Sequence, residues 1–280
     1  MDARLQRRVQ RYGWDLAAPE YERLWQAQLS EAQAALLERV ALQRGERVVD
    51  VACGTGLVSL AASSAVGAAG RVLGIDISSA MVEAAGRRAE ALGMHHATFA
   101  RMDAEALAVG DGAFDVGLCG LGLMYVPDPA QAVRELSRVV RPGGRIGLAV
   151  WGERSRCGWA AVFSIVEAEV ASDVCPLFFS LGVGAALADL CDDAGLANVA
   201  SRRIATTLVY DDGDDACDAA FVGGPVALAW SRFDAATRAR VRADYLAAIA
   251  SWRQPDGSYR LPGEFVVVIA TRPSASDHAA

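Results

Sequence analysis

Val48-Val49-Asp50-Val51-Ala52-Cys53-Gly54-Thr55-Gly56 is the stretch on which the fold turns. Val48, Val49 and Val51 form a short β-branched run, which favours a strand. Gly54 and Gly56 follow at once, and an alanine-rich helical stretch then runs to about Val66. A strand that ends in a tight glycine turn and passes into a helix aims backbone N–H groups at whatever binds there, and glycine lets that ligand come close to the backbone. Taken alone, a G-x-G is a weak signal, because ordinary strand-to-helix turns share it.

The flanking sequence repeats the alternation. Residues 71–75 are a second short apolar run, Ser78 is suited to cap a helix over 81–92, and residues 97–101 and 114–119 are further strand candidates. Residues 129–140 read as a helix broken by Pro142, Gly143 and Gly144, and 145–150 as another strand. Strands alternating with helices imply a mostly parallel sheet covered on both faces, with its ligand at the carboxyl ends of the strands where strand order reverses. Upstream, Trp25, Leu29, Leu36 and Val40 fall on one face of a helix, with Pro19 near its start and Gly45 near its end. Downstream, 157–183 is apolar, aromatic and helical in part, and 185–195 reads as a helix. Ile204, Thr206, Leu208 and Tyr210 alternate as a strand. Residues 211–218 read as an acidic turn, followed by two helical segments to about Trp252, and 265–270 is a late apolar strand. The expected division is a helical lid over 1–44, a ligand-binding core over 45–152, a helical cap with strands completing the same sheet over 153–272, and a disordered tail over 273–280.

Carboxylates sharpen the glycine loop. Asp76 ends the second strand, 20 residues beyond Gly56, a separation at which an acidic side chain can accept hydrogen bonds from ribose hydroxyls. Asp103 follows the third strand candidate at the same edge. A dinucleotide site shares these features but asks for a third glycine, and Ser59 stands in that place. It also does not require an acid inside the first strand, where Asp50 lies. A carboxylate at that depth suits a cationic ligand.

Composition removes other chemistries. Of 280 residues, 27 are basic and 34 acidic, giving a net charge of −7, and every basic residue is arginine. With no lysine the chain can form no Schiff base or pyridoxal-phosphate adduct, and it cannot build a lysine-bearing phosphate loop. The acidic balance argues against nucleic acid as a partner, as do arginines that are dispersed apart from Arg4 to Arg11 and Arg238 to Arg242, which read as solvated helix faces. The amino-terminal segment is charged and does not resemble a secretory signal. The longest apolar candidate for a membrane span, 176–188, is interrupted by Ser180, Gly182 and Gly184. Six cysteines without a C-x-x-C pair, and only His95, His96 and His278, indicate neither a disulfide framework nor a metal site. A reduced, cytoplasmic protein is expected, with His95 and His96 in a surface loop at the far end of the sheet from the glycine loop.

Four motifs together, VVDVACGTG (48–56), GIDIS (74–78), MDAEAL (102–107) and FDVGLCGLGLMYVPDPAQAVRELSRVVRPGGRIGLAVWG (114–152), resemble the class I S-adenosylmethionine-dependent methyltransferases, in particular their UbiE-like, type 11 group. The likeness is tight over 45–152. It implies an α/β, Rossmann-like fold: seven strands, mostly parallel with one antiparallel strand matched by 265–270, helices on both faces, and an N-terminal helical lid and helical cap. It also implies S-adenosyl-L-methionine as cofactor. Asp50 would then orient the methionine part, with Ala52 (where the family usually has glycine), Gly54 and Gly56 as the loop beneath it. Asp76 would bind the ribose hydroxyls, Ile77 and Met81 would pack on adenine, and Asp103 and Ala104 would meet the adenine amino group and ring. Cys119 and Leu121 would line the path to the sulfonium.

Methyl transfer from a sulfonium is an in-line displacement in which the protein mainly positions the acceptor and excludes water, although a phenol or enol gains from a base. Related enzymes often carry a histidine where this chain has Met124-Tyr125. The candidates near the expected pocket are therefore Tyr125, Tyr21 and Glu153, with Tyr12 beside Tyr21 in the lid. Trp14, Trp151, Trp159, Phe163, Phe178 and Phe179 would supply an aromatic acceptor cavity. The expected activity is O- or C-methylation of a small aromatic or quinone-like molecule, with a homodimer as an open alternative to a single chain. Two rivals remain. An NAD(P)-dependent oxidoreductase would want a tyrosine–lysine pair or a histidine dyad, and a non-catalytic methyltransferase-fold binding protein would be expected to lose cofactor contacts.

Overall fold

The computed structural model describes residues 2–170 and 178–274; Cys175, His278 and most of the expected tail lie outside them. In chain order the elements are α1 (Ala3–Val40), β1 (Arg47–Val51), α2 (Leu57–Val66), β2 (Arg71–Asp76), α3 (Ser79–Ala91), β3 (Ala97–Arg101), β4 (Phe114–Gly120), α4 (Pro129–Val139) and β5 (Val140–Trp151). There follow α5 (Ala161–Glu167), α6 (Ala186–Asp193), β6 (Ala197–Tyr210), α7 (Gly213–Phe221), α8 (Ala227–Arg232), α9 (Ala235–Ala248) and β7 (Tyr259–Thr271). The seven strands form one sheet in the order β3-β2-β1-β4-β5-β7-β6. β7 runs antiparallel to both neighbours, and the β1, β2, β3, β4 and β5 pairings are parallel. This is the Rossmann-like α/β sheet expected from the sequence. Strand order reverses between β1 and β4, so the crevice at their carboxyl ends is where a ligand belongs.

The central strands are buried because both faces are covered, and Val48, Val49, Val116, Leu118, Ile146 and Leu148 are wholly inaccessible. Trp25, Leu29, Leu36 and Val40 are all buried against this sheet, as their spacing predicts. The beginning of that helix differs from expectation. α1 starts at Ala3 behind an Asp2 cap, and Pro19 sits in its interior. Proline there removes one backbone donor and would ordinarily break a helix. Here the segments on either side are both anchored, the carboxyl half by core burial and the amino half by polar contacts described below. The helix ends at Ala41, in left-handed conformation (φ 51°), and not at Gly45.

Two other boundaries move. Pro142, Gly143 and Gly144 do not separate α4 from a later strand: β5 already pairs at Val140, opposite Phe114, with a register shift before Arg145. The acidic stretch 211–218 is largely helix, since Asp212 accepts from the Asp215 amide and caps α7, leaving Asp214 and Asp215 in the first turn where the helix dipole favours them.

Arginine carries the polar scaffolding. Arg138 on α4 donates to the carbonyls of Leu107 and Val109 and to Glu135 and Asp111, fastening the segment before β4. Arg272, just past β7, donates through Nη1 to the carbonyls of Ser137, Arg138 and Val140 at 3.2, 2.7 and 2.7 Å. These lie at the carboxyl end of α4, where carbonyls lack helical partners and a cation is favoured. Replacing Arg272 by alanine should lower the unfolding free energy by about 1–2 kcal/mol, read from the midpoint of a urea titration at unchanged slope.

Candidate functional site

A cleft of about 930 Å³, including its open mouth, lies at the β1–β4 reversal. Its floor is the turn after β1. Ala52, Gly54 and Gly56 all take positive φ, at 57°, 55° and 84°. For Ala52 this is a conformation that costs a non-glycine residue about 1 kcal/mol or more. Its methyl group explains a neighbour: a Cβ on Gly122 would collide with it. Gly56 does not line the cleft. A Cβ there would stand 3.1 Å from that of Ala85 and 3.4 Å from the Phe99 ring, so this glycine lets the loop seat against α3 and β3.

Asp50 is almost wholly buried at the base of the cleft. Its Oδ2 accepts from Ser59 Oγ at 2.6 Å, while Oδ1 is buried without a hydrogen-bond partner. Ser59, the residue standing where a dinucleotide fingerprint would have its third glycine, thus has a positive use here. Burial pushes the Asp50 carboxyl up to about 7 despite that hydrogen bond. Asp76, at the end of β2, accepts from the amides of Gly54 and Ser78, each at 2.9 Å, and burial raises it to about 6. Both amide bonds pin the carboxylate over the glycine turn and leave it further acceptor capacity toward the cleft. Ile77, Met81, Met102, Asp103, Ala104 and Leu121 complete that wall. Leu121 is another non-glycine residue at positive φ (66°), held by its amide bond to Ala149.

The amino half of α1 roofs the cleft with Arg7, Gln10, Trp14 and Tyr21. Arg7 pairs with Asp103 at 3.0 Å and with Glu105, and Asp15 accepts from Ser78 Oγ at 2.6 Å and the Ala80 amide at 3.1 Å. Glu22 pairs with Arg88 at 2.8 Å. Sequence reasoning missed Arg7, Gln10, Gln33 and Met102. Only the clustering of arginines near the amino terminus hinted at Arg7, and it reads equally as a solvated face.

A second, smaller cavity of about 280 Å³ adjoins the first and shares Trp14, Tyr21, Leu121 and Tyr125 with it. Trp25, Leu29, Met124, Trp151, Trp159, Gly224 and Pro225 supply the remaining walls, so no formally charged side chain lines it. Trp14 contacts both Tyr21 and Tyr125 edge-on, with ring centroids 5.7 and 5.0 Å apart. Of the expected aromatic set, Trp14, Trp151 and Trp159 line this annex. Phe163, Phe178 and Phe179 pack behind Trp159 instead.

Tyr21 and Tyr125 therefore sit together at the junction of the two cavities. Burial and nearby Asp76 drive the Tyr21 phenol well above its ordinary value, which keeps it a donor and not a base at neutral pH. Glu153 lines neither cavity; it lies 3.9 Å from both Arg156 and Arg203, and its amide donates to Glu264. Cys119 is buried behind the cleft wall, and Tyr12 points outward, half exposed. His95 is exposed, whereas His96 docks on Ser63 of α2, 2.8 Å from its Oγ. Among the described residues no group of three or more histidine, cysteine, aspartate or glutamate side chains is arranged to hold a metal ion.

The raised carboxyls have a stability consequence with a definite sign. Asp50 rises in the folded protein from 3.8 to about 7, so the stability it contributes is present in acid and is lost as pH climbs through about 7. Asp50→Asn keeps an oxygen for Ser59 and removes the buried charge. It should stabilise the ligand-free protein at pH 8 by on the order of 1–3 kcal/mol and give no gain at pH 4, measured by thermal or urea unfolding at both pH values.

Residues 48–144 match the family model for a methyltransferase domain. A demethylmenaquinone methyltransferase of Geobacillus stearothermophilus is 35% identical over 109 residues, covering 39% of this chain and 47% of that protein. The chain thus spans about half the length of the curated relatives it matches. The YcgJ protein of Bacillus subtilis has a similar structure, with TM-score 0.63 at 16% identity over 88% of this chain and all of that one. Phosphoethanolamine N-methyltransferase 2 of Haemonchus contortus, solved with S-adenosyl-L-methionine, matches with TM-score 0.58 at 15% identity, covering 93% of this chain and 57% of that one. With the reversal-point cleft, the acid-ended strands and the antiparallel β7 already in place, residues 48–144 are similar to a methyltransferase domain, and the sheet as a whole shares the fold of these solved structures.

Proposed function

We propose that the protein is a methyltransferase that uses S-adenosyl-L-methionine to methylate a small, planar, apolar acceptor of aromatic or quinone-like type. The observation that carries this reading is the junction of two unlike cavities, one acidic and glycine-floored, the other aromatic and uncharged, at Trp14, Tyr21, Leu121 and Tyr125.

The cleft suits the cofactor on its own terms. The Asp50 Oδ1 atom is buried and unpartnered, a costly arrangement that a cationic ligand group would relieve. The turn at 52–56 leaves α2 without a side-chain cap, so its first amides are available to a carboxylate. Asp50 would face the cationic methionine portion, Asp76 the ribose hydroxyls, Ile77 and Met81 the adenine faces, and Asp103 with the Ala104 backbone the adenine edge. Cys119 and Gly56 would act from behind by fixing the loop. When bound, the cofactor supplies a methyl group activated on a sulfonium.

The chain's own residues then position and shield. Leu121 and Tyr125 meet both cavities and would align the acceptor, and Trp14 and Tyr21 exclude water from above. Tyr21 can donate to an acceptor oxygen but does not deprotonate it, and no carboxylate or histidine lines the annex. That favours an acceptor acidic enough to ionise without a base, such as an electron-poor phenol or a carbonyl-conjugated enol, over a simple phenol of pKa about 10. The relative from Geobacillus stearothermophilus, described as a demethylmenaquinone methyltransferase, supports an acceptor of that kind. The uncharged annex and the net charge of −7 favour a small molecule over nucleic acid. A reducing, cytoplasmic setting suits five cysteines that are free and buried among the described residues.

Two measurements test the reading. Isothermal titration should show S-adenosylmethionine binding to the wild type, with Asp76→Ala raising the dissociation constant at least about tenfold while the circular dichroism spectrum is unchanged. Binding of NADH without binding of S-adenosylmethionine would overturn it. Incubation with methyl-labelled cofactor and a panel of hydroxyaromatics should transfer label to at least one of them.

A further inference from the structure

The outward face of α1 carries a row of apolar side chains. Leu5, Val9, Tyr12 and Leu16 follow at spacings of four, three and four, which sets them in one line along a helix. Leu5, Tyr12 and Leu16 are 40%, 50% and 48% exposed, and Val9 is partly so. They are three of the six large hydrophobic side chains exposed among the described residues, so the row is not the scatter ordinary to a protein surface. Arg4, Arg8 and Arg11 run beside it at spacings of four and three. Arg7 turns the other way, into its pairs with Asp103 and Glu105. Arg4 and Arg8 are exposed and pair with no carboxylate among the described residues. Arg11 lies over the Tyr12 ring, 5.7 Å from its centroid, and 4.0 Å from Asp15. Residues 3–14 hold four arginines and no acid, in a chain whose net charge is −7.

We infer that this face of α1 docks on an anionic phospholipid bilayer, with Leu5, Val9, Tyr12 and Leu16 entering the headgroup boundary and Arg4, Arg8 and Arg11 meeting lipid phosphates. Charge argues for that occupant. A helix that lies in a negatively charged lipid surface sinks an apolar row and keeps arginines along its flank, their stems in the apolar zone and their guanidinium groups at the phosphates. Size argues against a protein partner. Four partly exposed side chains offer at most a few hundred Å² of apolar surface, short of the roughly 800 Å² per partner that a stable protein interface buries. No described helix is long and apolar enough to cross a membrane, so the contact is one of lying on the surface. On their opposite face the same turns present Gln10 and Trp14 to the cleft, so a docked bilayer rests against the roof of the site. One consequence rests on the methyl-transfer reading: the acceptor is an apolar molecule dissolved in the bilayer, delivered to the roof without crossing bulk water.

The test is co-sedimentation of the whole chain with vesicles of phosphatidylcholine alone or containing about 30% phosphatidylglycerol. Wild type should bind the anionic vesicles, come off them in about 0.5 M salt, and bind the neutral ones weakly. Arg4→Gln with Arg8→Gln should lower the partition by about fivefold for each arginine removed. Leu5→Ser with Leu16→Ser should lower it by at least about tenfold. None of these four residues lines the cleft, so the circular dichroism spectrum and the affinity for S-adenosylhomocysteine should match wild type in both double variants. A wild type that ignores anionic vesicles would overturn the proposal, as would binding that survives undiminished in both double variants. A wild-type dimer that Leu5→Ser with Leu16→Ser breaks, with no vesicle binding, would give the face to a second copy and also overturn it. Vesicle binding as expected in a wild type that does not bind S-adenosylhomocysteine would defeat the methyl-transfer reading and leave the docking face standing.

Discussion

The structure is organised around a carboxylate that it is expensive to bury. Asp50 sits inside the first strand beside the fully buried Val49, with one oxygen satisfied by Ser59 and the other without a hydrogen-bond partner among the described residues. Several features follow from that placement. Ser59 replaces the glycine that a dinucleotide loop would use. The turn at 52–56 takes left-handed geometry even at an alanine, and Gly122 stays bare to make room for that alanine's methyl. Asp76, also buried, is held by two amides. Two raised acidic groups in one cleft are a burden on the ligand-free fold and an attraction for a cationic ligand, the usual trade between stability and function.

The long first helix closes this arrangement. Its carboxyl half belongs to the core, and its amino half is fastened by Arg7 to Asp103 and Glu105, by Asp15 to the start of α3, and by Glu22 to Arg88. These contacts are polar and partly solvated, whereas Trp25 to Val40 are buried, so the two halves differ in how easily they can separate from the sheet. Pro19 falls between the two sets of anchors. Asp103 is engaged by Arg7, so the roof and the wall of the cleft share one carboxylate.

Much of this was legible in sequence, for physical reasons. β-Branched runs, glycine turns and an acid at the end of β2 are local signals, and they locate the core of the sheet and the floor of the cleft, whereas the antiparallel direction of β7 was an implication of the family resemblance. The failures have equally physical causes. Pro19 reads as a helix start because its penalty is local, while the contacts that override it come from residues far away in sequence. The aspartates at 211–218 read as a turn because acidic residues suit turns and helix starts alike. Trp25 announces itself as a core residue by its spacing; that its N–H lacks a partner is a tertiary property. Glu153 follows the end of β5, where a base would be useful, but the arginines and Glu264 that surround it arrive from β6, β7 and the segment after β5.

On the proposed function, the buried Asp50 carboxyl receives the cationic part of S-adenosylmethionine. The most direct measurement is the pH dependence of that affinity, by isothermal titration between pH 5.5 and 7.5. With Asp50 raised to about 7 in the ligand-free protein, binding at low pH must expel a proton, so affinity should fall by up to about tenfold per pH unit below that value. Proton uptake by the buffer should accompany binding at pH 6, and Asp50→Asn should remove the part of both effects centred near pH 7, leaving only that of Asp76 near pH 6. An affinity that does not change across this range, with no proton released, would contradict this role for Asp50.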